Sequence, residues 1–180
     1  MFSHKPAPPK TPWAVRVLTP DFLVDGYTDT DAHPDSWPFF GPQTGRLEAI
    51  FLWLSSPRFT PTSAASGAPP NVSAWLVPYT GDLVAVLPFD DASLAAMQKN
   101  AADAKHAFAA VLLAGPYLIR GQLLSLYEKP DDIAVMSGHH SLAVANAEIE
   151  YRLPGAQFTG LKSPLMIVHT RHMQGLALTG

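Results

Sequence analysis

Hydrophobic and polar residues alternate in two short segments near the start of the chain. Successive side chains of a β-strand point to opposite faces, so this period of two predicts two strands. The dipeptide Pro20-Asp21 lies between them and predicts a turn, which makes the pair a β-hairpin ending near Gly26. The alternating hydrophobic positions are Val15, Val17, Phe22, Leu23 and Val24.

The same hairpin pattern recurs in the second half of the chain, with Gly115-Pro116 in the turn. Both copies read aromatic, Leu, β-branched, any residue, Gly. A middle strand and a closing hairpin match as well, so the sequence predicts one β-rich motif written twice, as repeat 1 and repeat 2. The matched segments are residues 22–26 and 117–121, 59–65 and 141–147, and 75–86 and 165–176.

Two segments have hydrophobic residues three or four positions apart, the spacing of one face of an α-helix. The first precedes the middle strand of repeat 1 and is ended by Pro57, while residues 133–136 are predicted to form one helical turn in repeat 2. The second follows Asp90 and Asp91, either of which can cap a helix. We interpret it as a connector packed against the two repeats, with a dimerising seam as the alternative. The two stripes are Leu47, Ile50, Phe51 and Leu54, and Leu94, Met97, Ala101, Ala104 and Phe108.

These elements predict a mainly β protein with two tandem small five-stranded barrels, each with a short helix, joined by an Ala-rich helix. Repeat 1 carries extra Pro- and Gly-rich residues between Asp31 and Arg46, which we expect to fold back onto apolar surface; a ligand lid is the alternative. The predicted domains are a flexible Pro-rich N-terminus, β-barrel repeat 1, a helical connector and β-barrel repeat 2, at residues 1–12, 13–88, 89–107 and 108–180.

Composition narrows the partners and the compartment. Hydrophobic residues make up 47% of the chain and charged residues 15%, so much of the surface must be buried on folding or on association. The formal charge is −3 with no cluster of Lys and Arg, which disfavours nonspecific binding to nucleic acid. The chain has no cysteine, which fits a reducing compartment, and no apolar run approaches the roughly 20 residues needed to cross a bilayer. We therefore expect a cytoplasmic protein with no membrane contact.

Histidines and one arginine form the densest polar group, in repeat 2. Two histidines precede the middle strand and two flank the closing turn. Imidazoles bind metals, but adjacent histidines on a strand point to opposite faces and this spacing matches no metal signature. We predict a ligand-binding site without a metal or cofactor, and the alternative is that these are surface or turn histidines. The candidate residues are His139, His140, His169, Arg171 and His172.

Motifs for catalysis are missing from the sequence. It contains no Gly-x-Ser-x-Gly elbow, no phosphate-binding loop and no dinucleotide-binding pattern. The acidic pairs Asp90-Asp91 and Asp131-Asp132 each precede a predicted helix, where carboxylates cap free amides. We therefore predict no catalytic residues and no enzymatic activity.

In the order and spacing of its elements, each repeat resembles the Sm-like (LSm/Hfq-type) small β-barrel. That family has a strand ending at glycine, a middle strand of alternating hydrophobic residues that begins near Asn and ends in Asp-Ala, and a closing hairpin with Arg-Gly. The resemblance implies SH3-like barrels whose exposed edges pair into rings, and so a homo-oligomer formed through strand edges. The matching positions are Gly121 and residues 141–148 in repeat 2, and Gly26, Ala65 and residues 81–83 in repeat 1.

The residues that this family uses to bind RNA are not kept. Its Asn is replaced by Phe59 and Ser141, and its hairpin Arg by Thr80 and Thr170, with Arg171 one place away. RNA is therefore disfavoured as a partner. We predict a noncatalytic, oligomerising β-barrel scaffold or binding subunit; the alternatives are an Sm-like RNA-binding protein and a His-dependent metal-binding enzyme.

Overall fold

The fold is mainly β, as the alternating pattern predicts. A computed structural model describes residues 12–28, 51–78, 81–129, 141–156 and 160–179. Within these residues it has ten strands and one α-helix. They are β1 Trp13–Leu18, β2 Phe22–Thr28, β3 Phe51–Pro61, β4 Ala74–Pro78, β5 Ala85–Pro88, α1 Asp91–Ala101, β6 His106–Ala114, β7 Tyr117–Ser125, β8 Ser141–Tyr151, β9 Leu161–His169 and β10 Met173–Leu178.

All ten strands belong to a single antiparallel sheet. Its order is β10-β6-β7-β8-β9-β5-β1-β2-β3-β4. Strands β1 to β5 are neighbours in the sheet, and we call them the N half. Strands β6 to β10 are also neighbours, and we call them the C half. The pairing of β5 with β9 joins the halves, and we call it the junction. Within the described residues β4 and β10 end the sheet, and the predicted division into two barrels is not confirmed.

Hydrophobic side chains from both halves mix at the junction. Val86 of β5 and Ile167 of β9 lie in one buried cluster with the interior of the N half, which we call the N cluster. Their neighbours Ala85 and Val168 lie in a second cluster with the interior of the C half, the C cluster. Because side chains alternate along a strand, the two junction strands are buried on both faces.

The helix α1 covers the junction. Asp90 is its N-cap and exchanges hydrogen bonds with Ser93 in a capping box. Met97 is fully buried in the N cluster, and the helix packs against β1, β5 and β9. The predicted cap is thus confirmed, but the helix is shorter than the predicted stripe, because Phe108 lies in β6.

The predicted helix before the middle strand is wrong where the structure describes it. Phe51 and Leu54 belong to the long strand β3, in which Leu52 and Leu54 are buried while Trp53 between them is 48% exposed. Positions three residues apart, such as 51 and 54, lie on opposite faces of a strand, whereas Leu52 and Leu54 have the period of two; pairing with β2 and β4 selects the strand. The proline-rich lead up to residue 11, the insertion at 31–46 and the helical turn at 133–136 lie outside the described residues.

A bulge opposite a glycine recurs in both halves. Gly26 lies at a register shift between β2 and β3, and Gly121 lies at a register shift between β7 and β8. The facing strands place Ser56 and Asn146 there, each with φ of 50°. Two residues thus face one glycine, which bends the sheet at equivalent points.

Candidate functional site

Two of the predicted site residues lie at the junction. His169 ends β9, pairs with Ser141 of β8 and is 9% exposed. Its backbone N–H donates to the carbonyl of Val84 at 2.8 Å, just before β5. It also lines a small pocket between the halves, whose other residues are Leu83, Ala85, Val86, Ser141 and Ile167.

The histidine that follows also connects the two halves. His172 lies in a 3₁₀ turn, Thr170–His172, and its Nε2 contacts the carbonyl oxygen of Gly81. A carbonyl oxygen only accepts, so Nε2 carries the proton in this contact. The backbone carbonyl of His172 accepts from the N–H of Gly115 at 2.8 Å. Both histidines therefore contribute to the contact between the halves.

The remaining predicted site residues do not join this arrangement in the described structure. Arg171 is exposed, and His139 and His140 lie outside the described residues. Among the residues that the structure describes, no group of three or more His, Asp or Glu is placed to hold a metal ion. Ligand binding by the predicted set stays a prediction.

Two tyrosines of the C half bind the first turn of the N half. Tyr117 is fully buried and its hydroxyl donates to the carbonyl of Thr19 at 2.5 Å, while the hydroxyl of Tyr151 donates to the carbonyl of Pro20 at 3.1 Å. Burial raises the pKa of Tyr117 above its ordinary value, so the hydroxyl remains a donor through neutral and moderately alkaline pH. The repeat match aligns Tyr117 with Phe22, which has no hydroxyl, so the match carries no information about this hydrogen bond.

Removing this hydroxyl tests its contribution to the junction. Tyr117→Phe is expected to lower the free energy of unfolding by about 1–3 kcal/mol, because the buried carbonyl of Thr19 loses its donor. Urea denaturation followed by tryptophan fluorescence measures the change. Tyr151→Phe is the matched control and is expected to cost less, because its hydrogen bond is longer and only partly buried. Equal losses for the two variants would contradict this assignment.

The outer strand β4 has the position in the N half that β9 has in the C half. Trp53 lies three residues before the bulge at Ser56, and Ala143 lies three residues before the bulge at Asn146. The pair of Trp53 with Leu76 therefore corresponds to the pair of Ala143 with Ile167. Trp53 and Leu76 are 48% and 50% exposed, whereas Ala143 and Ile167 are 9% and 3% exposed. The junction therefore buries this apolar surface in the C half, whereas the corresponding surface of the N half lies at the sheet edge and is exposed.

The other outer strand, β10, has the position of β5. Val86 pairs with Val17 of β1, and Leu176 pairs with Leu112 of β6. Val86 is 1% exposed because β9 covers it, whereas Leu176 is only partly buried. Neither β4 nor β10 contains a charged residue. Natural sheet edges are commonly protected by charges, and in the part of the chain that the structure describes neither outer strand has this protection.

Charged side chains on the sheet pair with one another. Arg16 makes two hydrogen bonds to Asp25, at 2.6 and 2.7 Å, which raise the pKa of the guanidinium above its ordinary value. On the C half, Arg120 binds Glu150 at 2.6 Å. Lys162 binds Glu148, and this hydrogen bond lowers the pKa of that carboxyl. Each of these three pairs is neutral.

Comparison of the chain with protein-family models, with curated proteins and with solved structures found no match. The α-helix α1 has 11 residues, and no helix within the described ranges is long and apolar enough to cross a membrane.

Proposed function

We propose that the protein is a noncatalytic scaffold or binding subunit that assembles with copies of itself through its sheet edges. The two halves are, in this proposal, two diverged copies of one Sm-like, five-stranded unit. Their common strand order, β5-β1-β2-β3-β4 and β10-β6-β7-β8-β9, supports this view, as do the matching bulges at Gly26 and Gly121. The absence of cysteine from the sequence fits a cytoplasmic location.

The open state of the outer strands is the observation that carries the proposal. Both strands are uncharged. Leu76 of β4 is half-exposed and Leu176 of β10 is partly buried, whereas their counterparts Ile167 and Val86 are buried in the junction. An unprotected edge presents unpaired N–H and C=O groups together with apolar side chains, which is a template for a further strand. Assembly through these edges would bury Leu76 and Trp53.

A structural role for the two junction histidines supports the noncatalytic part of the proposal. His172 contacts a backbone carbonyl of the other half, and His169 is buried beside apolar residues. The sequence contains no motif for a nucleophile or a phosphate-binding loop. In this proposal the protein presents a surface built from several copies of the chain.

Light scattering coupled to size-exclusion chromatography tests the assembly. We expect a mass well above 19.4 kDa that falls on dilution, because association depends on concentration. The measurement is made at physiological ionic strength. A strict monomer across the accessible concentration range would contradict the proposed function.

A further inference from the structure

We infer that copies of the chain associate head to tail, with β10 of one copy pairing antiparallel to β4 of the next in the register of the junction. The inference rests on the proposed function and deepens it, because it names the two surfaces and the residues that face each other. The junction is the template for this contact, because it already pairs β5 with β9 within the chain. Strand β10 has the position of β5, and β4 has the position of β9.

The register of the junction is defined by three contacts. Ala85 lies opposite Val168, and Val86 lies opposite Ile167. The backbone N–H of His169 donates to the carbonyl of Val84. Cα atoms directly opposite each other in an antiparallel pair lie about 4.5–5.5 Å apart, so the facing side chains are in contact.

Transfer of this register to the outer strands places Leu176 of one copy opposite Leu76 of the next. Leu176 has the place of Val86, and Leu76 has the place of Ile167. Leu176 already packs against the C cluster. Leu76 would extend that cluster, just as Ile167 joins the N cluster beside Val86. The exposed leucine thus becomes buried in a hydrophobic environment.

Pairing of β4 with β4 would not bury the same surface. A symmetric pair of this kind would place the outer faces of two N halves on one side of the sheet, where Trp53 and Leu76 are exposed. Each Leu76 would then gain only the neighbouring outer face. In the head-to-tail pair it gains the hydrophobic interior behind β10, and the larger loss of apolar exposure favours this arrangement.

Pro78 limits the strength of the intermolecular contact. It ends β4 and has the place of His169, whose N–H donates across the junction. Proline has no N–H, so this hydrogen bond is missing between copies. Pairing between chains is therefore shorter than pairing within the chain, which makes the assembly reversible while the junction persists.

Engineered cysteines test the pairing directly, because the chain has none of its own. Leu76→Cys and Leu176→Cys are purified separately, mixed and oxidised mildly. A disulfide-linked dimer is expected in the mixture, because facing Cα atoms in an antiparallel pair lie within the range that a disulfide bridges. Each variant alone is expected to cross-link no more than Leu126→Cys, whose exposed position lies after β7, away from both edges.

A charge substitution supplies a second measurement that does not depend on oxidation. Leu76→Lys lies at a half-exposed position, and it is expected to raise the dissociation constant of the oligomer at least about tenfold by placing a charge in the apolar contact. Circular dichroism confirms that each variant is folded.

The outcomes separate this inference from the proposed function. A native chain that is strictly monomeric overturns both. A native oligomer in which the mixed cysteine variants cross-link no more than the control, and in which Leu76→Lys leaves the dissociation constant unchanged, overturns the register alone. Strong cross-linking of Leu76→Cys with itself overturns the head-to-tail arrangement in favour of a symmetric one.

Discussion

Ile167→Ala is expected to lower the free energy of unfolding by about 2–5 kcal/mol. Ile167 is 3% exposed, lies opposite Val86 in the junction and lines the small pocket between the halves. Truncation removes buried methyl and methylene groups and leaves a cavity in the N cluster, which the strands on both sides prevent from collapsing fully. Urea denaturation of the native chain and of the variant measures the difference.

Leu76→Ala is the matched control for this experiment. Leu76 has the corresponding place in β4 but is 50% exposed, so its truncation in the unassembled chain is expected to cost within about 0.5 kcal/mol. Both variants are measured at a protein concentration below that at which the chain assembles. Similar losses for Ile167→Ala and Leu76→Ala would show that the junction does not contribute the burial assigned to it.

The shape of the unfolding curve gives the same experiment a second result. Both clusters contain side chains from both halves, so the halves are expected to unfold together in one transition. Weakening of the junction by Ile167→Ala is expected to separate the halves before it separates strands within one half. Two resolved transitions in the native chain would contradict the mixing of the clusters.

The hairpins were predictable from sequence because their signals are local. Alternation together with Gly115-Pro116 located β6 and β7, whose turn lies at those two residues. The same reasoning located β1 and β2 around Pro20-Asp21. A turn and its flanking strands are contiguous in sequence, so a single sequence carries enough information to identify them.

The matching of the later strands was wrong for two different physical reasons. For the middle strand, the bulges place Ser56 opposite Gly26 and Asn146 opposite Gly121, so Ser56 and Asn146 correspond to each other. This alignment of β3 with β8 differs by eight residues from the predicted one. An even shift leaves inward and outward positions unchanged, so alternation cannot detect it. For the closing strand, β4 is displaced by one residue from the predicted match, so that Val77 corresponds to Val168. A shift of one residue reverses the faces, and only the strand pairing in the structure fixes this register.

The junction itself could not be predicted by comparing the repeats with each other. The pairing of β5 with β9 joins segments far apart in sequence, and neither segment alternates, because both faces of each strand are buried. Residues 83–88 and 164–168 are nearly continuous apolar runs, and such runs are typical of strands buried on both sides. That signal was present, and it indicated where covered strands lie without indicating which two meet.

Gly121→Ala is expected to lower the free energy of unfolding by about 1–3 kcal/mol. A Cβ atom at this position would lie 2.7 Å from the carbonyl oxygen of Ala145 and 2.7 Å from Cγ1 of Val144. The carbonyl belongs to the bulged strand β8 and cannot move without disturbing the register that Asn146 sets. The clash therefore outweighs the entropy that alanine saves in the unfolded chain, which is about 0.4–1 kcal/mol.

Gly26→Ala is the matched variant because Gly26 occupies the corresponding bulge of the N half. There the nearest atoms to a new Cβ are Cβ of Leu54 and the carbonyl oxygen of Ser55, both at 3.3 Å. A displacement of a few tenths of an ångström relieves this contact, so the expected loss is below about 1 kcal/mol. Urea denaturation of both variants under identical conditions measures the difference. A larger loss for Gly26→Ala than for Gly121→Ala would contradict the tighter bulge that the structure places in the C half. The two halves share a bend at equivalent glycines, and this difference in loss measures how much more closely the facing strands approach each other in the C half.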